Sequence, residues 1–444
     1  MKKSKRSVLS ALALLLAALM LSCAISCGKK PAGDPATDNT PLPEGVTAEP
    51  NAAPSEKPIF YDPETDYDNR YGMGYDCIVE TEDAYYCCAS YSSRYLFYYD
   101  KASGERGVLC SKPECMHDAG GTDCSGLIEM CGASLNYWDG RLHYLAIDRN
   151  HHCYAFFSVA LDGSDKRMDT LADTSPIEIQ GATMPQRLDY HRGKCYGWRY
   201  YEEVENSELF NCIDVVSADP QTGETRLILK EKLEVYPTEP KLYYHGNYVY
   251  ISYNIQDYEE LEDHVEVLSN ILCIYRWNIE TEELEEVLRT ELLDIGEKGS
   301  GFRLYIDAEE RIWTAPVYGE QTVYTIESGA LCKAFLCDNP WSCFMLDGAA
   351  AVFSMPDMAL EVRRLDGSLI YEGVLDTSFI EELDTSREYE LDSYFGIYGD
   401  AEAIYISFVL DAKDQERAAY CLVRYDLTGG TPKPEIIACL PGLR

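Results

Sequence analysis

The chain has 444 residues, with 76 acidic side chains against 38 basic ones and a formal charge of −38 at neutral pH. So large an excess of one sign argues against nucleic acid or an anionic membrane surface as a partner, because both would repel it. The 35 tyrosines, the abundant β-branched residues and the scarcity of helical periodicity point to a mostly β protein.

The chain opens on Lys2, Lys3, Lys5 and Arg6, followed by a nearly unbroken apolar run from Val8 to Leu21. That is the layout of a secretory leader, and the run is too short for a comfortable spanning helix. Cys23 and Cys27 each follow a triplet resembling the bacterial lipobox. Cys27, preceded by Ile25-Ser26 and followed by Gly28, is the better-placed lipidation residue, and Cys23 is the alternative. The expectation is a signal peptide over 1–26 and a lipid anchor on the extracytoplasmic face of a bacterial cell membrane. An ordinary leader with incidental cysteines is the rival.

Residues 27–57 are dense in Pro, Ala, Thr, Asp and Glu with almost no large apolar groups. Such a segment buries too little surface to offset chain entropy, and it reads as a tether. A single folded domain over 58–444 is expected.

Within that domain a two-part unit recurs. Its first half is a polar turn followed at once by an apolar strand, as in Asp139-Gly140-Arg141-Leu142-His143-Tyr144 and His245-Gly246-Asn247-Tyr248-Val249-Tyr250. Equivalent stretches carry Tyr85, Tyr196, Trp313, Phe353 and Tyr405. The second half is a turn such as Leu161-Asp162-Gly163-Ser164 or Leu365-Asp366-Gly367-Ser368. There Asp accepts a backbone N–H two residues on, and Gly supplies positive φ. Two hairpins per unit make a four-stranded antiparallel sheet, and units of this size match propeller blades, which bury their faces by stacking in a ring.

The fold class predicted is therefore all-β, a propeller of seven four-stranded blades. The blades run over Tyr75 to Val108, Ile128 to Leu171, Arg187 to Leu229, Lys241 to Leu288, Phe302 to Phe335, Cys343 to Leu375 and Tyr394 to Leu440. Eight blades follow if Pro58 to Tyr71 supplies strands, and six if the fifth and sixth units merge. The outer strand of the last blade comes from Glu435 to Leu440 or from near Ile59. The recurring aromatics read as packing between blades.

After the first unit comes Leu109-Cys110-Ser111-Lys112-Pro113-Glu114-Cys115-Met116-His117-Asp118, with Cys124 following. With these turn and aromatic motifs, the chain resembles the β-propeller lipoproteins of Gram-positive-type anaerobes, related in architecture to TolB-like propellers and carrying a Cys-rich insert after the first blade. The resemblance implies a fold and no activity.

Cys110, Cys115, His117 and Cys124 offer three thiolates and one imidazole, enough for a tetrahedral structural zinc site. Their spacing is not that of a CxxC knuckle. A disulfide of Cys110 with Cys115, or of Cys115 with Cys124, with Cys131 as a further candidate partner, is the rival reading for an exported chain, and free thiols are the third.

Other constellations are weaker. His151-His152-Cys153 reads as a solvent-edge pair beside a strand, and the acidic stretch Asp257 to His264 as a solvated loop lacking the pattern of a calcium site. There is no Gly-x-Ser-x-Gly elbow, His-Glu-x-x-His or phosphate loop, so no catalytic residue and no cofactor-binding residue is assigned. The expected function is a non-catalytic binding module that takes a protein, glycan or small-molecule ligand. An enzyme acting on an extracellular polymer and a structural component of an envelope complex are the alternatives.

Overall fold

A computed structural model of the chain describes residues 61–72, 77–88, 95–117, 124–128, 130–148, 153–171, 188–260, 265–292, 301–319, 321–339, 341–383, 389–412 and 418–441. Cys23, Cys27, His151 and His152 lie outside them. Among the described residues no helix is long and apolar enough to cross a membrane.

Seven antiparallel sheets follow one another along the chain. They form a seven-bladed β-propeller whose blades cover 77–108, 130–171, 188–233, 236–291, 302–336, 342–374 and 389–441. In each, strands pair in sequence order from an inner first strand to an outer last one. The seven inner strands are Cys77–Glu80, Met130–Trp138, Leu188–His191, Lys241–His245, Phe302–Ile306, Ser342–Leu346 and Tyr389–Gly399.

The turns fall where Asp and Gly predict them. Gly140, Gly163, Gly223, Gly348 and Gly367 all have positive φ, and Asp162 and Asp366 each accept the N–H two residues on. Gly223 also has a packing role, because a Cβ there would stand 2.0 Å from the Leu171 carbonyl oxygen of the preceding blade.

Blade 4 departs from the plan by adding Tyr236–Pro237 as a short fifth strand. Its central hairpin, Tyr248–Glu260 with Val265–Asn278, is also long. The part of the acidic stretch over 257–260, predicted as loop, is strand paired from Asp257↔Ser269 to Glu260↔Val265. The register shifts between Asp257 and Tyr258. A bulge of this kind bends the strand and increases its twist, and Tyr258 stacks on Tyr236 with ring centroids 5.4 Å apart.

The core lies between blades. Tyr85, Tyr144, Tyr196, Tyr250, Trp313, Phe353 and Tyr405 are all buried and belong to apolar clusters joining neighbouring sheets. Blade 7 meets blade 1 through the hydroxyls of Tyr85 and Tyr405, 3.0 Å apart, and through Arg106 donating to the Ile436 carbonyl at 2.8 Å. The last blade draws its outer strand, Pro434–Pro441, from the C-terminal segment. Each blade is thus one continuous piece of chain.

Residues 61–72 make no strand. They form a strap with a short 3-10 turn over Asn69–Tyr71, lying where the first turns of the blades converge. Asp66 pairs with Arg192 of blade 3 at 2.7 Å. The Tyr67 N–H donates to His191 Nδ1 at 3.1 Å, and His191 Nε2 lies 2.8 Å from the Gly246 carbonyl of blade 4. The Asn69 amide forms two hydrogen bonds to the inner edge of blade 4, at Tyr244 O and Tyr244 N. Arg70 then reaches Glu80 of blade 1 at 2.7 Å and Asp400 of blade 7 at 3.5 Å. The strap therefore crosses the channel mouth from blades 3 and 4 to blades 1 and 7.

Candidate metal centre and the channel mouths

The excursion after blade 1 is positioned at both ends by backbone. The Leu109 N–H donates to the Leu96 carbonyl at 2.8 Å, and the Leu96 N–H to the Gly126 carbonyl at 2.9 Å. Tyr95 and Leu127 form an isolated antiparallel bridge. Gly126 is required by this approach, since a Cβ there would lie 2.5 Å from the Leu109 carbonyl oxygen. Leaving and returning strands are thereby clamped together, and the loop between them is folded back.

That loop gathers the four predicted residues. The ligand atoms of Cys110, Cys115, His117 and Cys124 all lie within 4.8 Å of one another, a cluster that could bind a metal ion. Short turns do the gathering, with the Cys115 N–H on the Lys112 carbonyl and the Leu127 N–H on the Cys124 carbonyl. His117 takes a left-handed backbone, φ 52°, and its Nδ1 is 3.5 Å from Cys124 Sγ. Its ring packs edge-on to Tyr95. Cys124 is buried and the other three half-buried, and no disulfide joins the three sulfurs.

The thiols are held unequally. Burial alone would raise Cys110, but the Ser125 hydroxyl and the backbone N–H groups of Lys112 and Ser125 outweigh it and bring the thiol down to about 6. Cys124 is pushed up to about 11 by burial and by its hydrogen bonds to Cys110 and Cys115. Only the backbone is described at Cys131 and Cys153, and nothing bears on the histidines beside Cys153.

The two channel mouths differ. Under the strap, Glu80 is held down to about 2, because Arg70 and Lys101 outweigh its burial. Asp347, hydrogen-bonded to Tyr305, is pushed up to about 6 by burial and by Asp68. At the other mouth, where the inner strands begin, a cavity of about 330 Å³ opens between blades 4, 5, 6 and 7. Arg303, Ser252 and Phe344 are among its walls. Sequence reading missed both places, for neither has a motif.

No protein-family model and no curated protein matches the sequence. Solved structures similar to it include an oligogalacturonate lyase in complex with manganese, at 11% identity over 86% of this chain and 88% of that one, TM-score 0.38. The β-propeller domain of the Trilobed protease from Pyrococcus furiosus is similar at 10% identity over 81% and 95%, TM-score 0.40. Dipeptidyl peptidase 4 of Porphyromonas gingivalis is similar at 8% identity over 83% and 60%, TM-score 0.37. The solved structures similar to the chain include a β-propeller domain as well as a lyase and peptidases.

Proposed function

We propose that the protein is a non-catalytic binding module, anchored through a lipid on Cys27 to the extracytoplasmic face of a bacterial cell membrane, with a structural zinc organising the excursion after blade 1. The observation that carries this reading is the closed character of the Cys110, Cys115, His117 and Cys124 cluster. Structural zinc sites are tetrahedral with four protein ligands, whereas catalytic ones leave a position open for water or substrate. Three thiolates and an imidazole fill the sphere and leave nowhere for a reacting group. The loop beside the cluster, with Met116 fully out in solvent at 83% exposure, becomes a fixed surface feature once the metal is in place.

The test is metal analysis of protein purified anoxically and under reducing conditions, alongside cobalt substitution. One zinc per chain, lost in Cys115→Ser, and the intense visible bands of a tetrahedral cobalt–thiolate centre are expected. No metal, with a disulfide forming when reductant is withdrawn, would refute the zinc assignment. Mass spectrometry of the membrane form, with and without Cys27→Ser, tests the anchor.

A further inference from the structure

Arg303 stands apart from the other arginines. It sits on the inner strand of blade 5, paired with Ala315, and lines the cavity at the open mouth of the channel. Its Nη1 donates to the Cys343 carbonyl at 3.3 Å, and its guanidinium lies over the Phe344 ring, 3.7 Å from the centroid. No carboxylate is within ion-pair distance among the described residues. Every other half-buried arginine there, from Arg70 to Arg424, has one.

In a chain with twice as many acids as bases, an acid could have been supplied at little cost. Holding a guanidinium half out of water with no counter-charge costs stability, and burial pulls Arg303 below its ordinary pKa. A second polar group in the same wall is also unanswered. Ser252, on blade 4, is 1% exposed, and its hydroxyl has no hydrogen-bond partner among the described residues. Phe344, held under the guanidinium, fixes the plane in which the remaining N–H groups can be offered.

We infer that this cavity is a binding site for a sugar acid, its carboxylate taken by Arg303 and its hydroxyls by Ser252 and neighbouring polar groups. The inference rests on the binding-module reading and names its ligand class. The planar guanidinium matches a carboxylate through two parallel hydrogen bonds, and the ligand would supply the counter-charge that Arg303 lacks. At about 330 Å³ the cavity is at the small end of ligand sites, the size for one sugar ring rather than a polymer. Glu239 and Lys241, 3.7 Å apart, also line it, and their charges offset one another there. A free sugar acid and the terminal residue of an acidic glycan share the chemistry.

Calorimetric titration of the purified protein with D-glucuronate, with a disaccharide ending in glucuronate, and with D-glucose and L-glutamate as controls tests this. Binding of glucuronate without glucose or glutamate is expected. Arg303→Gln should weaken it at least about tenfold and Ser252→Ala less, since a hydrogen bond to a charged group is worth more than a neutral one. Arg303→Gln should also melt at or above the wild-type temperature, which a structural arginine would not do. Preference for the disaccharide identifies a glycan end as the source, and preference for the monomer a free sugar acid.

No heat with either acid, equal binding by Arg303→Gln, or binding of glutamate in place of glucuronate overturns the site. The ligand recovered after prolonged incubation is then examined by NMR. New signals would sink the non-catalytic reading while leaving the site standing, whereas intact ligand that never bound sinks the site alone.

Discussion

Zinc should raise the melting temperature of this protein by an amount that can be worked out beforehand. A ligand that binds only the folded state stabilises it by about 4.1 kcal/mol at a free concentration 1,000 times its dissociation constant. The unfolding entropy of a globular protein is about 2.1 cal/mol/K per residue, so the unit from Glu56 to Arg444, of roughly 390 residues, unfolds with about 0.8 kcal/mol/K. The quotient is a shift of about 5 °C. The assay is circular dichroism melting of reduced, anoxic protein in the presence of buffered zinc or a chelator. Cys115→Ser and His117→Ala should each melt near the chelated wild type and show no response to zinc. An unchanged melting temperature at saturating zinc would refute the reasoning, as would an equal shift in Cys115→Ser, which would place the metal elsewhere.

Gly126→Ala should weaken the metal and lower stability together, because its Cβ would meet the Leu109 carbonyl oxygen at 2.5 Å; zinc competition with a chromophoric chelator reads the first and melting the second. Arg363→Met should cost about 3–5 kcal/mol in chemical denaturation, since it removes the cation 2.5 Å from Glu361, a fully buried carboxylate. Asn69→Ala loses two hydrogen bonds to Tyr244, about 1–3 kcal/mol in all, and should speed proteolysis within 61–72 while leaving the blades resistant. Asp347 is raised to about 6 in the folded state from an ordinary 3.8. The folded protein therefore keeps a proton that the unfolded chain loses, and this group costs stability as pH rises from about 4 to 6. Asp347→Asn should stabilise the protein at pH 7 by about 1–3 kcal/mol and flatten that part of the pH profile.

The blades were legible because their information is local. Turns such as Asp162-Gly163 and Asp366-Gly367 carry their own backbone chemistry, and apolar, aromatic-rich strands stand between them. The four cluster residues were legible from their proximity in sequence, although whether they hold metal or form a disulfide depends on geometry and redox conditions that spacing does not carry. The strap was not legible. Asn69 owes its role to Tyr244, 175 residues away, and Asp66 to Arg192, 126 residues away, and nothing local marks either. The acidity of 257–260 suggested loop, but the pairing continues to Glu260↔Val265. Arg303 was invisible for a different reason, since what distinguishes it is the carboxylate it lacks among the described residues, and a linear reading has no register for that.

The strap gives the propeller a direction. Among the described residues one end of the axial passage is crossed by Asp66, Asn69 and Arg70 with their ties to four blades, so the two ends are unlike. A molecule bound beside Arg303 would have its exit on the side away from the strap. Among the described residues the strap crosses the straight path through the ring, so a long chain would offer its tip from the other side, and substitutions on the strapped side should leave the lifetime of the bound state untouched.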